Sequence, residues 1–357
     1  MNDFVSSNGA LMGSEIAEQP YRWLDLIAAQ REQLETAGQW LAGADYDSLI
    51  FVARGTSDHA AMYGQHLYQA TFGRPAHLGT PSVSSVYDTN VFGPRQLVVA
   101  ISQSGASPDL LATLESAHAA GAKIIAFTNN VDSPMATLAD IHIDLSAGPE
   151  LSVAATKTYT AELVALFACV ELAKGSTYES VRACVQALST KAFAVLLGLP
   201  DSVLAAIEAL ASADRVLAIG RGPSTSSAKE AALKLMETCR LPASGWSAAD
   251  AKHGPIGQVG TGTVAILFTS AGAGSESVTS LRETLTELGA SIFMIGGESH
   301  DDVQGTLILD LREANVDVNL LPVLEILPAQ VIARELSLRL GLNPDQPRGL
   351  KKVTTTV

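Results

Sequence analysis

The chain has 357 residues, enough for two ordinary α/β domains at about 150 residues each, and its 47% apolar against 17% charged residues exclude global disorder. Its 23 Lys and Arg against 37 Asp and Glu give a formal charge of −14, which excludes a broad nucleic-acid footprint but not a small phosphorylated ligand held by a local nest of donors. Cys169, Cys184 and Cys239 are far apart and odd in number, so the expectation is no disulfide framework, no structural zinc and a reducing, cytoplasmic setting.

Residues 1–45 are predicted to be helical and polar, with Tyr21, Leu24 and Ile27 recurring at helical spacing after Pro20. The N-terminus has no basic region followed by an apolar run, and Ser, Gly, Glu or Lys break the longer apolar stretches, so neither a signal peptide nor a membrane segment is expected. A pattern that occurs twice follows. Leu49-Ile-Phe-Val-Ala53 ends in Arg54-Gly-Thr-Ser57, and Arg215-Val-Leu-Ala-Ile219 ends in Gly220-Arg-Gly-Pro-Ser224. Leu97-Val-Val-Ala-Ile101 runs into Ser102-Gln-Ser-Gly-Ala-Ser107, as Val264-Ala-Ile-Leu-Phe268 runs into Thr269-Ser-Ala-Gly272. Gly121 to Phe127 matches Gly289 to Ile295, and Ile141 to Leu145 matches Thr306 to Leu311. Continuous apolar strands alternating with helices predict parallel sheets covered on both faces, and the duplication predicts two similar α/β domains. The expected division is a helical segment 1–45, a first domain 46–200, a second domain 201–345 and a tail 346–357.

Ligands in such sheets bind outside the carboxyl ends of the strands. Ser102, Gln103, Ser104, Gly105 and Ser107 lie there, between a strand and the helix opened by Pro108, and Ser57 follows the neighbouring strand. Hydroxyls and backbone N–H groups at a helix start suit a phosphate monoester, although the same residues also serve as ordinary helix caps. No Gly-Lys-Ser/Thr and no Gly-x-Gly-x-x-Gly follows the first strand, so nucleotide chemistry and a dinucleotide cofactor are not expected. Glu230, Lys234 and Glu237 fall along one side of a helix. They read either as a solvated ion-pair stripe or as an apolar setting that withdraws Glu237 from water for proton transfer while Lys234 orients it. His253, before Gly254-Pro255, sits in a turn rather than in a packed core and can pass a proton to a sugar ring oxygen; His59 is a lesser candidate near Ser57. No metal-ligand spacing is present, and no cofactor is expected. Lys351 and Lys352, ahead of a β-prone end, belong either to a ragged terminus or to a segment that closes over an anionic site.

Taken in order, Glu15 to Pro20, Gly55-Thr-Ser57, Ser102-Gln-Ser-Gly105, Ala154-Ala-Thr-Lys157, Lys252-His-Gly-Pro255 and Pro347 to Val357 resemble the tandem sugar-isomerase (SIS) domain family. Over nearly its whole length the chain is similar to the isomerase half of glucosamine-6-phosphate synthase. The resemblance implies two flavodoxin-like parallel sheets. It places Ser57, Ser102, Gln103, Ser104 and Ser107 in a phosphate pocket, and makes Glu237 the base between C1 and C2. It gives His253 to ring opening, reaching the neighbouring subunit of a homodimer with shared sites. Lys352 would stand near C1 or C2, Lys234 and Glu230 would support the helix, and Val153 and Ala155 would line up with sugar contacts. Ala106 and Ser107 stand where the synthase has Glu-Thr, and Ala155 where it has serine. No cysteine precedes Cys169, so no glutaminase domain is expected in this chain. The runs Arg54 to Ala60, Pro81 to Tyr87 and Ser104 to Asp109 look most like stand-alone amino-sugar phosphate deaminases. The implied reaction converts glucosamine 6-phosphate and water to fructose 6-phosphate and ammonia. Plain phosphosugar aldose–ketose isomerisation, galactosamine-6-phosphate deamination and fructosamine-6-phosphate deglycation are the alternatives, and a non-catalytic sugar-phosphate sensor is a third class. No nucleic acid or membrane partner is expected.

Overall fold

In a computed structural model, residues 8–43, 45–297 and 305–352 are described. Val353 to Val357 of the expected closing tail lie outside them. The duplicated apolar runs become strands. The first set is β1 (Ser48–Val52), β2 (Ala76–Leu78), β3 (Gln96–Ser102), β4 (Lys123–Thr128) and β5 (Ile141–Asp144). The second is β6 (Arg215–Gly220), β7 (Ala243–Ser247), β8 (Thr263–Phe268), β9 (Ser291–Ile295) and β10 (Thr306–Leu309). They form two five-stranded parallel sheets in the orders β2-β1-β3-β4-β5 and β10-β9-β8-β6-β7. Read from the other edge, the second order is β7-β6-β8-β9-β10, so β6, β7, β8, β9 and β10 repeat the places of β1 to β5. This is the flavodoxin-like order, and two tandem α/β domains are what the sequence predicts.

Contact density divides the chain into two units. One holds Gln19–Glu150, Lys157–Ser189 and the tail from Lys351, with the β1–β5 sheet. The other holds the chain up to Glu18, Leu151–Thr156 and Thr190–Leu350, with the β6–β10 sheet. In the first unit the sheet packs Val52, Val98, Ala100 and Ile124 against Leu110, Leu114 and Met135. In the second, Leu217, Ile219, Ala265 and Leu267 meet Val278, Leu281 and Leu285. Each Leu, Ile or Val buried this way contributes roughly 2 kcal/mol. Both faces of β3 and β8 are buried, which explains why their sequences read as unbroken apolar runs rather than alternating ones.

One expectation changes. The N-terminal segment is helical as predicted, over Ala10–Ala29 and Arg31–Ala42, but its apolar face has a different phase. Tyr21 is 60% exposed, and the buried face is Met12, Ile16, Gln19, Trp23, Leu26 and Ile27. That set follows the three-and-four spacing of a helix; the stripe through Tyr21 and Leu24 does not continue N-terminally. The helix Tyr178–Leu197 is long and apolar enough to cross a membrane by length and composition alone, but Glu179, Arg182 and Lys191 interrupt it, as the sequence reading expects. Its Val181, Val185, Leu188, Ala192 and Val195 are buried at helical spacing, the pattern of a helix that covers a protein core.

Candidate active site

The first unit supplies the hydroxyl-rich loop. Ser102 ends β3, and its Oγ accepts the N–H of Gly105 at 3.2 Å, which folds the loop back on itself. Gly105 has φ +62°, and a Cβ there would lie 2.3 Å from Ser133 Oγ, so the turn requires glycine. The carbonyls of Gln103 and Gly105 accept N–H groups from Asn129 and Met135 and tie the loop to the segment that follows β4. Ser104 Oγ accepts the Ala106 N–H at 3.4 Å. Ser107 precedes the helix Pro108–Ala119 but forms no side-chain cap, leaving its half-buried hydroxyl uncommitted to that helix. Gln103, Ser104 and Ser107 are half-buried at this strand end.

Ser57 lies beside β1 at the start of the helix Thr56–Phe72 and is buried. Its hydroxyl donates to Glu162 Oε1 at 2.7 Å, so it must rotate before it can donate to a ligand. Nearby, Arg54 Nε reaches the buried Asp109 at 2.7 Å. His59 is half-buried on the same helix. Lys352 is held within this unit. Lys352 Nζ is 2.9 Å from Oε2 of Glu150, whose buried carboxylate also accepts the N–H and Oγ–H of Thr158. Lys352 therefore serves a defined acidic anchor rather than a ragged end.

The second unit supplies the carboxylates. On the helix Ser224–Cys239 the Lys234 ammonium is completely buried. It lies 3.2 Å from Glu230 Oε1 and 2.5 Å from Glu237 Oε2. Burial, the largest single influence, works to lower the Lys234 pKa, but Glu230 and Glu237 together outweigh it and hold it above its ordinary value. Neither sequence-based alternative fits completely. The stripe is not solvated, yet the members withdrawn from water are Glu230 and Lys234, while the Glu237 side chain keeps 21% of its surface exposed. One ammonium thus offsets the buried Glu230 and fixes a second carboxylate that still faces outward.

His253 follows the short helix Ala248–Ala251 and is exposed, its N–H bonded to the Asp250 carbonyl. Val153 and Ala155 are half-buried residues of 151–156, alternating with buried Ser152, Ala154 and Thr156, and the Val153 N–H donates to the Asp345 carbonyl. Glu150 and Glu162 carry no motif of their own and were not singled out in the sequence; the only signal was an acidic residue inside a predominantly apolar stretch.

A family model described as the SIS domain matches residues 44–172 and again residues 209–339. The glutamine–fructose-6-phosphate aminotransferase (isomerizing) of Thermococcus kodakarensis is 34% identical over 357 residues, covering 96% of this chain and 58% of that protein. The chain therefore spans little more than half the length of that relative. A solved chain from Silicibacter pomeroyi assigned as a phosphosugar isomerase superposes with TM-score 0.84 at 29% identity, covering 94% of this chain and 99% of that one. Glucosamine-6-phosphate deaminase from Thermotoga maritima superposes with TM-score 0.71 at 19% identity, covering 94% and 100%, a likeness of fold alone.

Proposed function

The chain belongs to the SIS domain family, and on that premise we propose that it is a phosphosugar enzyme that deaminates glucosamine 6-phosphate to fructose 6-phosphate. The observation that carries the reading is the arrangement of Glu230, Lys234 and Glu237 described above, a positioned carboxylate left accessible beside a buried, neutralised pair. Such a carboxylate is suited to taking a proton from carbon and returning it one atom away. His253 assists opening of the pyranose, and its exposed position supports a role in the site of a second subunit of a homodimer. Glu237 then removes the C2 proton from the open-chain amino aldehyde, giving the enolamine, and delivers it to C1, giving the C2 imine. Water adds to that imine and ammonia departs, leaving the ketose phosphate.

Ser102, Gln103, Ser104, Ser107 and, after rotation, Ser57 hold the phosphate. Binding energy at the unreactive end of the sugar then fixes C1 and C2. Val153 and Ala155 contact the sugar, and Lys352 steadies negative charge that develops on the carbonyl oxygen. The free thiols support a reducing compartment, the cytoplasm in our reading.

The second reading is aldose–ketose isomerisation, favoured by the assignment of the Silicibacter relative. It uses the same enolisation without loss of nitrogen. Incubation with glucosamine 6-phosphate and, separately, galactosamine 6-phosphate, with ammonia and fructose 6-phosphate quantified, decides the matter. Equal amounts of ammonia and fructose 6-phosphate from the gluco substrate are expected. No ammonia from either amino sugar, with ketose formed from glucose 6-phosphate incubated in parallel, would replace deamination by isomerisation. Glu237→Gln should retain phosphosugar binding and lose at least about a thousandfold in kcat, within the range general-base catalysis supplies together with positioning. Turnover near wild type in that variant would remove Glu237 from the role of base.

A further inference from the structure

The duplication gives the second unit its own set of strand ends, and these also enclose space. A cavity of about 370 Å³ opens at the carboxyl ends of β8 and β9, lined among others by Thr269, Ser275, Thr279, Arg282, Gly296 and Arg312. By strand order, β8 and β9 stand where β3 and β4 stand in the first unit, so this cavity is the counterpart of the Ser102–Ser107 loop. The surroundings repeat as well. In the first unit Ser57, on the helix after β1, bonds the buried Glu162. In the second, Ser224 and Ser227, on the helix after β6, bond the buried Glu325 at 2.9 and 2.8 Å. The glycines at the end of β9 allow the β8 loop to close on it. A Cβ at Gly296 would meet Ser270 Oγ, and one at Gly297 would lie 2.0 Å from Thr269 Oγ1.

What separates this cavity from an incidental hollow is Arg282. Its guanidinium is half-buried, its Nε has no hydrogen-bond partner, and Nη1 rests 3.4 Å from the sulfur of Met294. Among the described residues no carboxylate pairs with it. Burial alone pulls its pKa below the ordinary arginine value. A half-buried guanidinium without a counter-ion has donors to spare, and a bound anion is their natural partner. Arg312 also faces the cavity, but it is already paired with Asp310 at 2.5 Å. Thr269, Ser275 and Thr279 now donate to carbonyls at 3.0–3.4 Å and can turn toward a ligand. The volume accommodates a phosphorylated hexose as readily as free phosphate.

We infer that the second unit carries its own binding site for a small phosphate-bearing anion, with Arg282 as its charge partner. The site uses none of the residues assigned to the reaction. It would allow the same class of molecule that the enzyme processes to be sensed on a second sheet.

Calorimetric titration of the full chain with fructose 6-phosphate, and separately with inorganic phosphate, tests this. The expectation is two binding events per chain in the wild type. Arg282→Met should abolish one of them, a loss of at least tenfold in affinity, and leave turnover without added phosphate unchanged. Ser104→Ala should weaken the other and spare the Arg282-dependent event. Glu276 lines the same cavity and is exposed, so Glu276→Gln should tighten the Arg282-dependent event by about two- to fivefold by removing a like charge from the anion's surroundings. Binding of inorganic phosphate but not fructose 6-phosphate supports the site and identifies free phosphate as its ligand. A single event per chain that survives Arg282→Met overturns the inference. So does an unchanged affinity in Glu276→Gln, a substitution that leaves the fold of the cavity intact even if Arg282→Met does not fold. Absence of ammonia release from amino sugars would count against the proposed reaction and leave these binding arms readable.

Discussion

Lys234 offers the most direct test of how the second unit holds its carboxylates. Replacing it by methionine keeps the unbranched stem and removes only the ammonium. Glu230, whose side chain is as completely buried as that of Lys234, then loses the cation 3.2 Å away. Removing one partner of a buried pair costs about 3–5 kcal/mol, because the remaining charge stays uncompensated. Against a total stability of about 5–15 kcal/mol this is a large fraction. At roughly 2–4 °C per kcal/mol for a unit of this size, the midpoint of thermal unfolding should fall by about 6–20 °C. The folded pKa of Lys234 lies above its ordinary 10.5, so its stabilisation is complete below that pH and is lost only as pH rises through the raised value. The deficit should therefore be nearly constant between about pH 6 and 9. The assay is thermal unfolding followed by circular dichroism, with Glu230→Gln/Lys234→Met alongside. Neutralising both partners should restore most of the loss, since the one carboxylate that has lost its cation, Glu237, still reaches solvent. A Lys234→Met midpoint within about 2 °C of wild type, or a double variant no more stable than the single one, would refute the reasoning.

Three further outcomes follow from the geometry. Gly105→Ala must place a Cβ against Ser133 at a backbone φ of +62°, so it should cost about 1–3 kcal/mol and raise the KM for phosphosugar at least tenfold; an unchanged KM would detach the loop from phosphate binding. Glu325 has its pKa raised by burial, partly offset by its serine hydrogen bonds, so the native state is favoured most below the ordinary 4.5 and loses stability as pH rises through the folded value. Glu325→Gln should consequently gain in unfolding midpoint relative to wild type at pH 8 but not at pH 4, and the opposite order would show that the ionised carboxylate is the stabilising form. Lys352→Gln leaves Glu150 its two Thr158 donors, so kcat should fall more than tenfold while the midpoint drops only a few degrees; an unaltered kcat would make the tail a purely structural strap.

Local sequence carried the fold wherever a strand is buried on both faces. β3 and β8 are legible because burial on both sides leaves no room for polar alternation, and their chain order alone reveals the duplication. β2 and β7 were not among the predicted runs. One is only Ala76–Leu78, and the other reads Ala-Ser-Gly-Trp-Ser, with every residue half-buried. Their strand character comes from pairing with β1 and β6 rather than from side-chain pattern. Tyr21 misled for a related reason: an aromatic ring at helical spacing marks a buried face only if the neighbouring positions continue it, and of the predicted stripe only Ile27 is buried, on a face it shares with Trp23 and Leu26.

The same distinction governs the candidate site. Ser102, Gln103, Ser104 and Ser107 are contiguous and follow a buried strand, so their convergence is local and readable. Glu230, Lys234 and Glu237 share one helix face, so their pairing was readable too, but which of them is sealed from water depends on what packs over that face. The buried acids are beyond such reading. Glu162 is defined by a serine 105 residues away, and Glu325 by serines 101 and 98 residues away. In isolation either acid has the spacing of a surface residue. Only the packing of its helix against the helix that follows β1 or β6 makes it a clamp, where a buried carboxylate must find hydroxyl donors or stay protonated. That the clamp recurs at Ser224, Ser227 and Glu325 in the second unit argues that the strand-end scaffold was retained there. With Arg282 lining the adjoining cavity and its Nε unpartnered, the retained scaffold has a physical reason to bind an anion of its own.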